Sequence, residues 1–342
     1  MTTRIVKTSK EDIEICAKVL SAGGLVAFPT ETVYGLGANA LNAGAVKEIF
    51  KVKGRPADNP LIAHVSGRQM ALGIAKGIPD YVDRLIRTFW PGALTIIFER
   101  RDDIDPCFCA GMPNAAVRCP SHPVAHAIIE AAAVPIVAPS ANLSGRPSPT
   151  CFKDVYDDLY GKVDVIVDGG DCEIGIESTV ILPCDGGVRI LRPGAVTAAQ
   201  LESAGVKVSF DPAILNPVKE GQKVLSPGLK HRHYAPKAKM VLLRGESGKI
   251  QNYINSHTEK AGVRAGVLCF DSECGCFTNA FVLSYGNEND SGSLSHNLFK
   301  ALREFDRRDI DIIYAHAPEP YGDTLGVYNR MLRAAGFNVV AL

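Results

Sequence analysis

The chain has 342 residues, of which 46% are apolar and 22% are charged, values that are ordinary for a globular protein and leave room for two domains. Its 37 basic and 37 acidic residues balance, which argues against a protein whose main role is to coat nucleic acid or a membrane. No apolar run approaches the ~18 residues of a membrane-spanning helix, and the N-terminus lacks the apolar core of a signal peptide. We therefore expect a cytoplasmic protein with no membrane partner.

Short apolar strands alternate with amphipathic helices between Leu25 and Leu191. Helices are predicted near 43–53, 122–132 and 152–160, and an amphipathic helix precedes them at the N-terminus. Strands are predicted at LVAF, LIAHV, ALTIIF, AAVRC, PIVA, VDVIV, STVIL and VRIL. This alternation predicts one mixed α/β domain with a twisted sheet, which we place at residues 1–204.

The periodic pattern is lost at residues 205–239, which carry four prolines. Seven basic and two acidic residues lie in this segment, whereas residues 1–200 hold 20 basic and 22 acidic ones. Positive charge is therefore concentrated here. We predict an extended basic linker, because a proline-rich segment of this length inside a compact protein is usually functional.

The alternation of strands and helices resumes at residues 240–342. Strands are predicted at MVLLR, AGVLCF, AFVLSYG, DIIYAHA and FNVVAL, with helices near 248–260, 294–307 and 325–335. These crossover lengths predict a small parallel, Rossmann-like α/β domain. No glycine fingerprint follows its first strand and no catalytic set is evident, so a scaffold or a regulatory lid is the favoured role.

The stretch KVKGRPADNPLIAH, at 51–64, has the composition of a binding site. The helix before it must stop at Pro56, so Lys53 and Arg55 are presented at a helix end. A solvated cluster of cations that caps the helix is the alternative. Upstream, FPTETVYGLG places several side-chain oxygens after the LVAF strand, where sites are often built. The following GLGANA is rejected as a dinucleotide motif, because no acidic residue ends a second strand about twenty residues later, and no P-loop occurs.

The polar residues at predicted strand ends contain no plausible catalytic dyad, since neither Ser140 nor Ser178 lies in a GxSxG elbow. Several cations together with hydroxyls and amides suit instead a set of bound anions. Ten cysteines without a CxxC pair are expected to be reduced thiols rather than metal ligands. The polar set is Thr30, Thr32, Lys53, Arg55, Asn59, His64, Arg118, Ser140, Asn142, Ser144, Ser178 and Arg192.

Seven motifs together carry a resemblance that spans nearly the whole chain. They are FPTETVYGLG, KGRP with Asn59-Pro60-Leu61, AVRCP, APSAN, EST, LRPG and PGLKHRHYAP, in that order. This set resembles the threonylcarbamoyl-AMP synthase family, in its long form with a YrdC-type catalytic domain and a small C-terminal domain. The chain departs from the family pattern at His231, where Tyr is expected, and at Asn114, where Thr is more frequent. Neither change removes a charge.

The resemblance implies a nucleotidyltransferase that combines L-threonine, bicarbonate or CO2, and ATP with Mg2+, releasing pyrophosphate. The product, threonylcarbamoyl-AMP, would pass to the tRNA threonylcarbamoyl transfer machinery, which modifies adenosine beside the anticodon. By motif position, the implied threonine pocket is Thr32, His64, Arg118 and Ser178. The implied ATP ligands are Arg55, Asn59, Ser140, Asn142, Ser148, Arg192 and Tyr234, and the implied phosphate clamps in catalysis are Lys53 and Arg55.

The linker is predicted to act as a lid that folds Lys230, Arg232, His233 and Tyr234 over the nucleotide. A solvated tether is the alternative. Two other functions remain open at this stage. One is an RNA-binding module without catalysis, holding tRNA or double-stranded RNA, against which the slight negative charge of residues 1–200 weighs. The other is carbamoyl transfer from carbamoyl phosphate, as in hydrogenase maturation proteins, whose zinc-finger and acylphosphatase segments this chain lacks.

Overall fold

A computed structural model describes residues 2–217, 226, 233–259 and 262–342. Within these ranges the chain forms an eleven-stranded sheet and a five-stranded sheet. The larger sheet mixes parallel and antiparallel pairs, and all pairs in the smaller sheet are parallel. The predicted fold class, a mixed α/β domain followed by a small parallel α/β domain, is confirmed.

The first domain contains eleven strands and seven helices among the described residues. Its strands are β1 Arg4–Val6, β2 Val26–Phe28, β3 Gly35–Asn39, β4 Ile62–His64, β5 Leu94–Glu99, β6 Asn114–Arg118, β7 Ile136–Val137, β8 Val165–Val167, β9 Thr179–Cys184, β10 Gly187–Arg192 and β11 Lys207–Phe210. Its helices are α1 Lys10–Ser21, α2 Ala43–Lys53, α3 Arg68–Leu72, α4 Asp80–Phe89, α5 Pro123–Ala132, α6 Phe152–Leu159 and α7 Ala198–Ser203, with 3-10 turns at Pro106–Cys109 and Pro212–Ile214. The strand order is β1-β8-β2-β3-β7-β4-β6-β5-β9-β10-β11.

Local sequence signals account for the helix that precedes the predicted site. The Asn42 side chain accepts hydrogen bonds from the backbone N–H groups of Gly44 and Ala45 and so begins α2. Gly54, at φ +60°, ends the helix in the left-handed conformation that glycine tolerates. This sharp stop directs the chain from Lys53 into Arg55 and on towards β4.

The pairing of two short strands places two predicted site residues side by side. β4 and β6 are parallel, and His64 is the register partner of Arg118. Both are the last residues of their strands. The C-terminal ends of these strands therefore bring the imidazole and the guanidinium to one edge of the sheet.

The second domain contains five strands and three helices among the described residues. They are β12 Lys239–Arg244, α8 Ser247–Thr258, β13 Ala265–Cys269, β14 Ala280–Ser284, α9 Ser291–Asp306, β15 Ile312–His316, α10 Leu325–Ala334 and β16 Val339–Ala341, with 3-10 turns at Asp271–Glu273 and Gly322–Thr324. The strand order is β14-β13-β15-β12-β16. Every residue of α10 is buried, which places this helix inside the molecule rather than on its surface.

The segment that follows α7 is only partly an extended connection. Residues 207–210 form β11, which pairs in parallel with β10, so the beginning of the predicted linker belongs to the first sheet. The sequence did not predict β11, because its apolar run is short and lies next to a proline. Of the predicted lid residues, Lys230 and Arg232 lie outside the described residues, as does His231. His233 and Tyr234 are described, and Tyr234 is buried.

The two domains share apolar and ionic contacts. The apolar core of the second domain incorporates Val33 and Ile176 from the first domain. Beside it, the guanidinium of Arg303 in α9 donates to the carbonyl of Pro147 and to Asp158, both in the first domain. Because these groups are buried, separating the domains would expose apolar surface and leave charges unpaired. Within the described residues, no helix is both long enough and apolar enough to cross a membrane.

A glycine that allows close backbone contact near β9 gives a test of this packing. A Cβ atom at Gly194 would lie 2.5 Å from the carbonyl oxygen of Glu177 and from the amide nitrogen of Thr179. Gly194→Ala is therefore expected to lower the free energy of unfolding by about 1–3 kcal/mol, measured by urea denaturation. Gly77→Ala is the control, because no atom lies within 4 Å of that Cβ position. Equal stability of both variants and the parent would contradict this packing.

Candidate active site

A cleft crosses the first domain along β4 and contains about 580 Å3 of empty space, part of it open to solvent. Its lining includes Leu61, Ile62 and His64, and Pro60 before them, so the cleft runs along β4 and the two residues that precede this strand. The other lining residues are Thr30, Thr32, Val33, Gly35, Arg55, Arg118, Ala138, Pro139, Ser140, Glu177, Ser178, Arg192, His233 and Tyr234. The lining therefore brings cations, hydroxyls, imidazoles and a carboxylate together in one cleft.

At one end of the cleft, a buried arginine is held by oxygens. The Nη1 of Arg118 donates to the Thr32 hydroxyl at 2.8 Å, its Nε donates to the carbonyl of Gly92 at 3.2 Å, and its Nη2 lies 2.7 Å from the carboxylate of Glu31. The Thr30 hydroxyl donates to the carbonyl of Val33, so the Thr32 hydroxyl donates to Thr30. These contacts fix the guanidinium plane, which suits bidentate binding of a carboxylate.

His64 faces Arg118 and is held neutral. Burial, reinforced by the nearby positive charge of Arg118, lowers the pKa of the His64 imidazole to about 3. Its Nδ1 lies 3.2 Å from the carbonyl oxygen of Ile62, which requires Nδ1 to carry the proton. The imidazole therefore presents an Nε2 lone pair, an acceptor, beside a guanidinium.

Ser178 is anchored between two neighbours. Its hydroxyl lies 2.7 Å from the hydroxyl of Thr95, and it accepts a hydrogen bond from Nη2 of Arg192 at 3.1 Å. Arg192 also donates from Nε to the carbonyl of Ser178 at 3.1 Å. Burial lowers the pKa of the Arg192 guanidinium, and the group remains cationic near neutral pH.

The opposite end of the cleft is formed around Arg55. Its Nη2 donates to the carbonyl of Pro60 at 3.1 Å, and burial lowers its pKa to about 10. The amide nitrogen of Asn59 lies 3.2 Å from Nε2 of His233. The end of the predicted linker thus reaches the loop that follows α2.

The loop after β7 is held by a buried lysine. The ammonium of Lys53 donates to the carbonyls of Ser140 and Asn142. The Ser140 hydroxyl donates to Oδ1 of Asn142, whose amide donates to the carbonyls of Leu143 and Arg146. Burial lowers the pKa of Lys53 well below its ordinary value. Lys53 and Asn142 thus shape the loop that presents Ser140 to the cleft, and neither lines the cleft itself.

A buried carboxylate closes the back of the cleft. Glu177 accepts a hydrogen bond from the hydroxyl of Ser148 through one oxygen and from Nε of Arg330 through the other, the latter at 2.8 Å. Burial opposes its ionisation, yet Arg330 and Arg192 keep its pKa below the ordinary value. Arg330 belongs to α10, so the second domain supports the wall of the site from behind.

The structure brings together most of the residues that the sequence predicted for the site. Of the twelve residues that the family resemblance implied, eight line the cleft: Thr32, Arg55, His64, Arg118, Ser140, Ser178, Arg192 and Tyr234. The other four lie behind it as supports: Lys53, Asn59, Asn142 and Ser148. Asn114, at the far end of β6, pairs with Glu99 and lies outside the lining.

Three charged residues of the site were not predicted from the sequence. Glu31 and Glu177 lie inside the PTET and EST motifs, and their position within those motifs was the available signal. Arg330 lies in a predicted amphipathic helix far along the chain, and no sequence pattern distinguishes it from a surface cation. Among the described residues, no group of three or more His, Cys, Asp or Glu side chains is placed to hold a metal ion.

The fold and cleft define a two-domain α/β protein whose buried cations and neutral histidine are arranged for small anionic ligands. A family model described as "Telomere recombination" matches residues 18–194, and one described as "Threonylcarbamoyl-AMP synthase, C-terminal domain" matches residues 196–336. The threonylcarbamoyl-AMP synthase of Bacillus subtilis is 40% identical over 98% of this chain and 96% of its own length.

A solved structure is also similar to this chain over nearly its whole length. A crystal structure of Pyrococcus abyssi Sua5 complexed with L-threonine has a TM-score of 0.93 and 39% identity, covering 99% of this chain and all of that one. Escherichia coli YciO, at 20% identity and a TM-score of 0.53, covers 58% of this chain and shows the fold alone. The chain belongs to the threonylcarbamoyl-AMP synthase family and is a transferase of the nucleotidyl type.

The neutral state of His64 leads to a test by pH. The folded protein keeps His64 unprotonated down to about pH 3, whereas the unfolded chain protonates it near its ordinary value of about 6.5. Between these values the unfolded state binds more protons, so this contribution to stability is full above pH ~6.5 and falls as the pH is lowered. Between pH 7 and pH 5, the free energy of unfolding of the parent should therefore fall by about 2 kcal/mol more than that of His64→Gln, which has no imidazole to protonate.

The measurement is the free energy of unfolding in urea at each pH. His126→Gln, at a half-buried histidine on α5, is the matched control. Parallel pH profiles for His64→Gln and the parent would mean that the folded protein protonates this imidazole.

Proposed function

We propose that this chain synthesises threonylcarbamoyl-AMP from L-threonine, bicarbonate or CO2, and ATP, for threonylcarbamoyladenosine formation in tRNA. The observation that carries the proposal is the single cleft with Arg118, Thr32 and His64 at one end and Arg55 and Ser140 at the other. Support also comes from the whole-length similarity to a structure complexed with L-threonine. The product would be consumed by the tRNA threonylcarbamoyl transfer machinery.

In the proposed reaction, the threonine amine adds to CO2 to give a carbamate, releasing one proton. A carbamate oxygen then attacks the α-phosphorus of ATP, and the bond to the bridging oxygen breaks as pyrophosphate leaves. The attacking and receiving groups are both anionic, so the site must reduce their repulsion. Arg55 and Arg192 supply buried positive charge along the cleft for this purpose.

We assign the threonine carboxylate to Arg118, with Thr32, His64 and Ser178 around the amino acid. His64 presents a neutral acceptor, which allows a threonine amine to donate a hydrogen bond without meeting another cation. Arg55, Asn59, Ser140, Ser148, Arg192 and Tyr234 are assigned to the nucleotide. Lys53 and Asn142 act through the loop that holds Ser140, so Lys53 contributes charge from behind the phosphates rather than by direct contact.

Mg2+ enters this proposal as part of the ATP substrate. Magnesium commonly binds through substrate phosphates, keeps several waters and needs few protein ligands. When bound, the ion would neutralise phosphate charge alongside the arginines.

The test of the proposal is threonine-dependent pyrophosphate release from ATP and bicarbonate, with labelled threonine appearing in threonylcarbamoyl-AMP. Arg118→Lys keeps the charge but removes the planar fork, so it should raise the KM for threonine on the order of tenfold to a hundredfold. The KM for ATP should change less than about threefold. Equal changes in both would remove the carboxylate assignment, and a protein that only binds RNA would release no pyrophosphate.

We further propose that the end of the linker covers the nucleotide. His233 and Tyr234 line the cleft, and the Tyr234 ring stacks on Phe299 of α9 with centroids 5.3 Å apart. A mixed anhydride such as threonylcarbamoyl-AMP hydrolyses in water, so a cover over the cleft would protect it. The other two predicted lid residues, Lys230 and Arg232, lie outside the described part of the chain.

Tyr234→Ala tests this cover. Without the ring, water would reach the intermediate, so pyrophosphate release should continue while the yield of threonylcarbamoyl-AMP per pyrophosphate falls at least about fivefold. Both products are measured in the same reaction by chromatography. Tyr234→Phe retains the ring and is the matched control. An unchanged yield in the alanine variant would show that the ring does not protect the intermediate.

A further inference from the structure

Arg330, on α10 of the second domain, is completely buried and lies behind the wall of the cleft. Its Nε donates to the Glu177 carboxylate at 2.8 Å, its Nη2 to the Glu177 carbonyl at 3.0 Å, and its Nη1 to the Pro193 carbonyl at 2.6 Å. Its guanidinium carbon also lies 5.7 Å from the ring centroid of Tyr234. One side chain therefore contacts three separate segments around the cleft.

Each of these contacts leads to a residue assigned above to the nucleotide. Glu177 accepts the hydroxyl hydrogen of Ser148, so its orientation fixes that serine. Pro193 directly follows Arg192, the last residue of β10. Tyr234 is itself part of the lining. The guanidinium does not line the cleft, but it sets the relative positions of Arg192 and Tyr234 in the lining and of Ser148 behind it.

A glycine in α10 allows the helix that carries Arg330 to pack closely against the first domain. Gly326, one turn earlier in α10, faces the first domain, and a Cβ there would lie 3.0 Å from Ile176 and 3.3 Å from the Cα of Gly194. The absence of a side chain at that point lets the helix backbone come close to the loop after β10. Arg330 consequently reaches Pro193 and Glu177 from a rigid, fully buried helix.

We propose that Arg330 is a positioning residue through which the second domain organises the nucleotide end of the active site. The inference rests on the proposed function and assigns the second domain a part in the reaction, beyond that of a scaffold. The guanidinium makes three hydrogen bonds to carbonyl and carboxylate oxygens of the first domain from three separate nitrogens. A lysine cannot replace it, because its donors all lie on one nitrogen. Loss of the fork would leave Ser148, Arg192 and Tyr234 individually present but misplaced.

The group assigned to the threonine carboxylate has supports of its own. Arg118 is held by Thr32, Gly92 and Glu31, and these contacts involve neither Arg330 nor Arg192. Ser178 is the one group of the threonine end that is linked to Arg330, through Arg192 and through the Glu177 carbonyl. A change at Arg330 should therefore weaken ATP binding much more than threonine binding, which a general loss of stability would not do.

The test is isothermal titration calorimetry of the full chain with ATP alone and with threonine alone. Arg330→Lys is expected to raise the Kd for ATP at least tenfold and the Kd for threonine less than threefold, with an unfolding temperature close to that of the parent. Arg307→Met is the matched control, because Arg307 also joins the domains, through Asp154, but lies away from the cleft.

A second arm separates positioning from charge balance. Arg330→Met alone leaves the buried carboxylate of Glu177 unpaired, which endangers folding. Arg330→Met combined with Glu177→Gln removes both charges, and Glu177→Gln alone is the reference. Positioning predicts that the double variant folds but binds ATP at least tenfold more weakly than the reference.

Three results would overturn the proposal: parent-like ATP affinity in Arg330→Lys, ATP affinity in the double variant equal to that of the reference, or an equal loss in Arg307→Met. A parent that binds ATP but forms no threonylcarbamoyl-AMP overturns the proposed reaction alone. A parent that binds no ATP overturns both.

Discussion

The burial of positive charge without matching negative charge is the constraint on which this active site depends. Five cations that are at most 8% exposed surround the cleft or support it: Lys53, Arg55, Arg118, Arg192 and Arg330. Among the described residues, buried carboxylates in the same region include those of Glu31, Glu177 and Asp158, and Asp158 is shared with Arg303. Backbone carbonyls satisfy much of the remaining demand for acceptors, but they carry no net charge. Bound anions would neutralise this excess positive charge, which favours ligands with carboxylate and phosphate groups.

This constraint also explains the division of labour among the cations. The cleft is lined by Arg118, Arg55 and Arg192, which can contact a ligand directly. Lys53 and Arg330 donate to oxygens of the loops around it. The supporting cations still contribute to the electrostatic potential inside the cleft, because a low-dielectric surrounding screens them poorly. Their hydrogen bonds at the same time fix the loops, so charge and geometry are supplied by the same groups.

The sequence predicted the elements and the lining of the cleft better than it predicted their supports. The helix 43–53 and the strands LIAHV and AAVRC were found where apolar periodicity placed them, since a strong periodic pattern survives tertiary context. The strand GLGAN was missed, because glycines remove the alternation of side chains that marks a strand. The direct contact of Lys53 with Ser140 and Asn142, and the reach of Arg330, depend on packing between distant segments. No local pattern encodes such contacts.

The shared apolar core has a consequence for any attempt to dissect this protein into pieces. Val33 and Ile176 belong to the first domain but pack among the side chains of the second, together with Tyr234. A fragment ending near residue 204 would lack Tyr234 and would expose Val33 and Ile176 to water, and exposed apolar surface promotes aggregation. Poor solubility of such a fragment would then be indistinguishable from a loss of catalytic competence. For this chain, single substitutions at the interface separate function from folding more cleanly than truncation does.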